Sequence, residues 1–321
     1  MEQRSSADPR LVEWAPGPPI EMAPEVLTMR AWIEEAGRRL LAIPDDRLEA
    51  VLDLSTSDAE IDVRYGFYRL VESLEYERGS ILRTLIGAKT CPARGVRRGA
   101  SSTAARWALH GLLLPLADED LDRDPGGGEW SIRETLGHVI SSQRSYGRYT
   151  AWWLTQAPTP AALIPDALVD ELPTRSEEAA GSVSAVRARL DALLDAAMAY
   201  LGPVEDLSTP ARWSGGEATV GFRIGRWASH IREHTIQVEK TFVMLGRQPT
   251  EVERLVALLF TTYGRVEELI FGMSPREIAK SSGGDPTVAA TLSDAALELP
   301  AVVDEILAAA KANVRPPPGA G

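Results

Sequence analysis

Cysteine is all but missing: Cys91 is the only one in 321 residues. No disulfide can close within the chain and no cysteine cage can hold a metal. The count suits a reducing, cytoplasmic compartment. Apolar runs are short as well, none approaching the roughly 20 residues that span a bilayer, so no membrane helix is expected. The stretch Met1–Pro24 lacks the apolar core and small-residue cleavage site of a secretory signal. It is polar and proline-rich, and its first part, like Val314–Gly321 (VRPPPGAG), reads as loose tail. Positive charge is in deficit: 34 lysines and arginines face 46 aspartates and glutamates, a net charge of −12. Such a surface repels phosphate backbones, and no basic helix face offsets it, so nucleic acid is not an expected partner. A small-molecule partner and a homodimer are both compatible with this composition.

Strand-like alternation is scarce, and what replaces it is helical periodicity. Alanine, leucine, arginine and glutamate fill the long segments, predicting an all-α fold of about seven or eight helices. The period places them near Glu25–Ala42, Asp62–Ile86, Thr103–Leu116, Ser131–Trp153, Ser182–Leu201, Thr219–Leu245, Glu251–Phe271 and Thr287–Lys311. Ser131-Ile-Arg-Glu134 has the spacing of a capping box, in which serine and glutamate each satisfy an orphan backbone N–H. Lys89–Ser101 (KTCPARGVRRGAS) shows no period and reads as a linker. The long connection Gln156–Gly181 is enough for a crossover that leaves its flanking helices parallel. A weak repeat relates 41–48 to 114–121 and Asp62-Val-Arg to Ser131-Ile-Arg, setting Arg69 where His138 stands. The expected organisation is a tail and helical pair in 1–99, a four-helix bundle in 100–248, and a helical pair and tail in 249–321. The outer pairs are expected to pack together as a second, degenerate bundle.

Only four histidines occur: His110, His138, His230 and His234. The pair His230-Ile-Arg-Glu-His234 lies one helical turn apart on one face, so both rings can reach one ion. Both lie on or beside the apolar stripe Ile224, Trp227, Ile231, Val238 and Phe242, where an imidazole needs hydrogen bonds or a metal. Alone, the pair leaves both readings open. It is not a metalloprotease motif, because Ile231 stands where that chemistry needs glutamate. His138 lies two turns into the capped helix, after Gly137, a residue costing about 1 kcal/mol there unless something must approach closely.

Trp130-Ser-Ile-Arg-Glu-Thr-Leu-Gly-His138 and Arg226-Trp-Ala-Ser-His230-Ile-Arg-Glu-His234-Thr-Ile-Gln237 resemble the ligand-bearing second and fourth helices of the DinB-like superfamily. Leu116–Asp122 resembles the loop closing its first helix. The resemblance covers about 100–248 and implies an up-down-down-up bundle with a metal, usually zinc or nickel, on His138, His230 and His234. Three imidazoles and an open position suit a divalent transition metal over calcium or magnesium. The implied function is a thiol-dependent transferase or a hydrolase-type enzyme, with a low-molecular-weight thiol or water at the open position. The alternative is a non-catalytic, stress-associated metal-binding bundle.

Other candidates have plainer readings. Glu134 is explained by the capping box, and Gln237 is placed to orient a ligand histidine. Glu233 is expected in solvent, Tyr146 and Trp227 in the core, and His110 at a surface or edge. Cys91 reads as a linker residue, and the acidic run Asp118–Asp124 as a solvated loop without EF-hand spacing.

Overall fold

The computed structural model describes residues 21–52, 61–155, 163–170, 172–202, 204–213, 216–281 and 286–312. The expected tails fall largely on residues outside these, as does part of the 156–181 connection. The described chain is all-α, with eight long or medium helices: α1 (Pro24–Leu40), α2 (Val63–Gly87), α3 (Arg94–Leu113), α4 (Ile132–Leu154), α7 (Val183–Leu201), α8 (Val220–Met244), α9 (Glu251–Ile270) and α11 (Val288–Lys311). Short helices α5 (Asp166–Asp170) and α6 (Arg175–Glu178) lie in the crossover, and α10 (Pro275–Ile278) precedes α11. Two small antiparallel hairpins, β1 (Val51–Leu52) with β2 (Ile61–Asp62) and β3 (Pro210–Trp213) with β4 (Gly216–Thr219), decorate the loops.

Helix starts follow their caps. The Ser131 hydroxyl accepts from the Glu134 N–H at 3.2 Å, and the Glu134 carboxylate accepts from the Ser131 N–H at 2.8 Å. Asp62, Ser182, Thr219, Thr250 and Thr287 cap α2, α7, α8, α9 and α11 in the same sense. Helix α8 ends at Gly246, whose φ of +67° lets the Gly246 and Arg247 N–H groups turn back onto the Val243 and Phe242 carbonyls.

Helices α3, α4, α7 and α8 enclose one apolar core; α1, α2, α9 and α11 enclose another. In the first, His138, Gln143 and Tyr146 of α4 meet His230, Trp227 and Arg223 of α8, so those helices run antiparallel. Gly95 and Gly99 of α3 lie against Leu201 at the end of α7, and Arg98 lies against Gly221 and Gly225 at the start of α8. Helix α3 is thus antiparallel to α7 and parallel to α8, giving the up-down-down-up order. The second core has the same sense. Arg64 and Arg265 pair with Glu251 and Glu75, making α2 and α9 parallel, while Gly66 and Thr84 meet Ile306 and Pro286, making α2 and α11 antiparallel.

The two cores join along α3 and α9. A side chain at Gly111 would strike the Ala257 backbone, and one at Gly264 the Ala104 backbone, so the antiparallel helices touch almost directly at both ends. Between these contacts lies a buried charge cluster. Glu267 accepts from Arg30, from Arg106 at 2.6 Å, from the Thr103 hydroxyl at 2.5 Å and from Trp107 Nε1 at 3.1 Å. Arg106 also reaches Asp195 at 2.9 Å.

Three expectations are corrected here. The linker reading of Lys89–Ser101 is overturned from Arg94 onward, where α3 begins. Gly95 and Gly99 are small because the end of α7 packs on them, which removes the apolar period that marks a helix. His110 is not at a surface: it is fully buried, with Nε2 2.8 Å from the Asp191 carboxylate. Nor is the acidic run merely solvated. Asp118 accepts from the Val183 N–H at 2.8 Å, and Asp122 pairs with Arg133.

Candidate metal centre

The capping box fixes where α4 begins and hence which way His138 points. Its ring Nε2 meets that of His230 on α8 at 3.2 Å, and His230 Nε2 meets that of His234 at 3.2 Å. All three ligand atoms lie within 4.8 Å of one another. Ligands about 2.0–2.1 Å from one ion in tetrahedral array stand about 3.3 Å apart, which this spacing approaches. His230 is buried, whereas His138 and His234 are half-buried, so the centre has one side toward solvent.

The hydrogen bonds around the three rings suit an ion among them. His234 Nδ1 lies 2.7 Å from Gln237 Oε1, an acceptor, so the proton sits on Nδ1 and Nε2 keeps its lone pair. His230 Nε2 faces ring nitrogens on both sides, and a single nitrogen cannot donate to one while accepting from the other. A cation among three lone pairs removes the conflict. Burial first, then His234 and Arg175, push the His138 pKa down to about 4. Burial first, then His234, His138 and Arg226, push that of His230 down to about 3. Both rings are neutral at physiological pH, the form that ligates metals.

Surrounding side chains are mostly accounted for. Trp130 packs on His138, with ring centroids 5.2 Å apart, and Tyr146 stands edge-on to His230 at 5.4 Å. Tyr146 is therefore at the centre as well as beside the core; Trp227 is fully buried. The Gln143 amide donates to the Trp227 carbonyl at 3.1 Å, tying α4 to α8 beneath the site. Glu233 points away, 54% exposed, and pairs with Arg226. Gly137 has its reason in α6: a Cβ there would lie 2.5 Å from the Arg175 carbonyl oxygen. That contact and the roles of Trp130 and Tyr146 were missing from the sequence reading. The glycine was its only available signal.

The family model of the DinB superfamily matches residues 103–238, the stretch that carries all three histidines. Residues 103–238 are similar to the DinB superfamily. No curated protein and no solved structure matches the chain. The DinB match begins within α3 and ends within α8, so it spans the crossover and the centre, while the second core, apart from Trp107 of α3, lies outside it. In that second core the place of His138 is taken by Arg69, paired with Glu72 at 3.0 Å. The cavity there, of about 760 Å³, is lined by Glu77, Glu298 and Glu305 and by no histidine.

Proposed function

We propose that this protein is a metal-dependent, DinB-like enzyme, a thiol-dependent transferase or a hydrolase-type catalyst, with a divalent transition metal on His138, His230 and His234. The observation that carries the reading is the meeting of three ring nitrogens from two helices, with no competing donor in the cluster. Nitrogen ligands favour zinc or nickel. Three protein ligands with a solvent side support an open coordination position, which a purely structural site does not need. When bound, such an ion lowers the pKa of water or a thiol reaching that position, which makes a nucleophile at neutral pH. Gln237 orients His234, and the Trp130 and Tyr146 rings exclude water from two sides. The partners we propose are a small-molecule substrate and a low-molecular-weight thiol. The single exposed cysteine supports a reducing, cytoplasmic setting, and among the described residues no helix is long and apolar enough to cross a membrane.

Elemental analysis of the purified protein tests this directly. About one zinc or nickel per chain is expected, and none in His234→Ala. Co²⁺-loaded protein should shift its visible absorption when a small thiol is added. A metal that survives in His234→Ala sinks the ligand set. A bound metal whose spectrum no thiol changes, with a large loss of melting temperature on chelation, would point instead to a stapling ion.

A further inference from the structure

Two arginine–aromatic–histidine stacks flank the candidate centre. On one side the Arg175 guanidinium lies over the Trp130 ring at 5.6 Å, and Trp130 lies on His138. On the other, Arg223 lies over Tyr146 at 4.7 Å, and Tyr146 stands against His230. The two differ in access: Arg223 is buried, whereas Arg175 is exposed. Arg175 has no carboxylate partner among the described residues.

Nearby acids are committed elsewhere. Glu134 caps α4, Glu233 holds Arg226, and buried Glu178 pairs with Arg144 at 3.0 Å. The three ligands are neutral imidazoles, so an ion there keeps its full double charge, and nothing acidic offsets the guanidinium next to it. Arg175 is also held in place. The Thr174–Glu177 capping box closes its turn, its carbonyl seats on Gly137, and its guanidinium lies over an indole. A cation fixed in this way loses little entropy when it receives a partner.

We propose that the centre selects an anionic ligand, a small organic molecule with one donor on the ion and a carboxylate received by Arg175. This rests on the open metal centre proposed above. The probes are 3-mercaptopropionate and 3-mercapto-1-propanol, which share a thiol and a chain length and differ in charge. They are titrated into the Co²⁺-loaded full chain and its Arg175→Gln variant, and read by visible absorption. The native protein should bind the carboxylate about tenfold more tightly than the alcohol, as a charge-assisted hydrogen bond of ordinary strength gives. Arg175→Gln should lose that preference with its alcohol affinity unchanged, which also shows that the variant is folded and loaded. Equal affinities in the native protein, or a preference that persists in Arg175→Gln, overturn selection by Arg175 while leaving the open centre intact. A spectrum unmoved by either thiol overturns both.

Discussion

Glu267 shows what a single side chain contributes at the join between the two cores. It is fully buried, and burial by itself would raise its pKa, yet Arg30 and Arg106 hold it well below the usual carboxylate range. Asp191 behaves alike: burial pushes it up, but His110 and Arg106 prevail and bring it from 3.8 to about 2. Carboxylates with depressed native pKa values bind fewer protons folded than unfolded, so their stabilisation is full above about pH 4 and lost toward pH 2. His110 acts in the same direction. Burial lowers its pKa despite Asp191, so below 6.5 the unfolded chain binds the extra proton. Stability measured by urea titration should therefore decline below about pH 6 and fall steeply between pH 4 and 2. Glu267→Gln should cost about 3–5 kcal/mol at pH 7, because Arg30 and Arg106 lose their one fully buried counter-charge and are left sharing the partly exposed Asp195. A cost below 1 kcal/mol would show that the cluster is not holding the join. None of this was legible in the chain. His110 and Asp191 are 81 residues apart, and an isolated histidine among leucines gives no sign of a distant carboxylate partner.

At the scale of helices, legibility followed chemistry that is local in sequence. The start of α4 could be read because Ser131 and Glu134 complete their cap within one turn, and the histidine pair because i and i+4 share a face. The first two turns of α3 could not. Gly95 and Gly99 are there because Leu201 and Met198 of a helix a hundred residues away press against them, and that pressure leaves no apolar stripe. The crossover turn α6 was equally hidden, although Gly137 marked its landing place. Alanine for glycine inside a helix ordinarily stabilises by about 1 kcal/mol. Gly137→Ala should instead destabilise by about 1–3 kcal/mol, because the new methyl meets a backbone carbonyl that cannot rotate aside. Its affinity for metal should fall as well, since the neighbouring His138 shifts with α4. A stabilised Gly137→Ala protein would mean that α6 does not rest on this helix.

On the scale of the whole molecule, the two four-helix units repeat one topology but do not stand apart. Helix α3 gives Leu109 to one core and Trp107 to the other, and its Ser102, Thr103, Arg106 and His110 are all fully buried. A helix whose middle is walled in by both units cannot be released by one without being exposed to the other. Urea unfolding followed by far-ultraviolet circular dichroism and by tryptophan fluorescence should trace one coincident transition, Trp107 reporting one core and Trp153 and Trp227 the other. Two separated midpoints would contradict this. The glycine–alanine seam between α3 and α9 carries the same logic into the life of the chain. Severing the short connection after Leu245 would sever a covalent bond and little else, for each piece would still be clasped by the other. The middle of α3, with Ser102, Thr103, Arg106 and His110 fully buried, would find no bare face to turn outward, so the two pieces would stay together as one object.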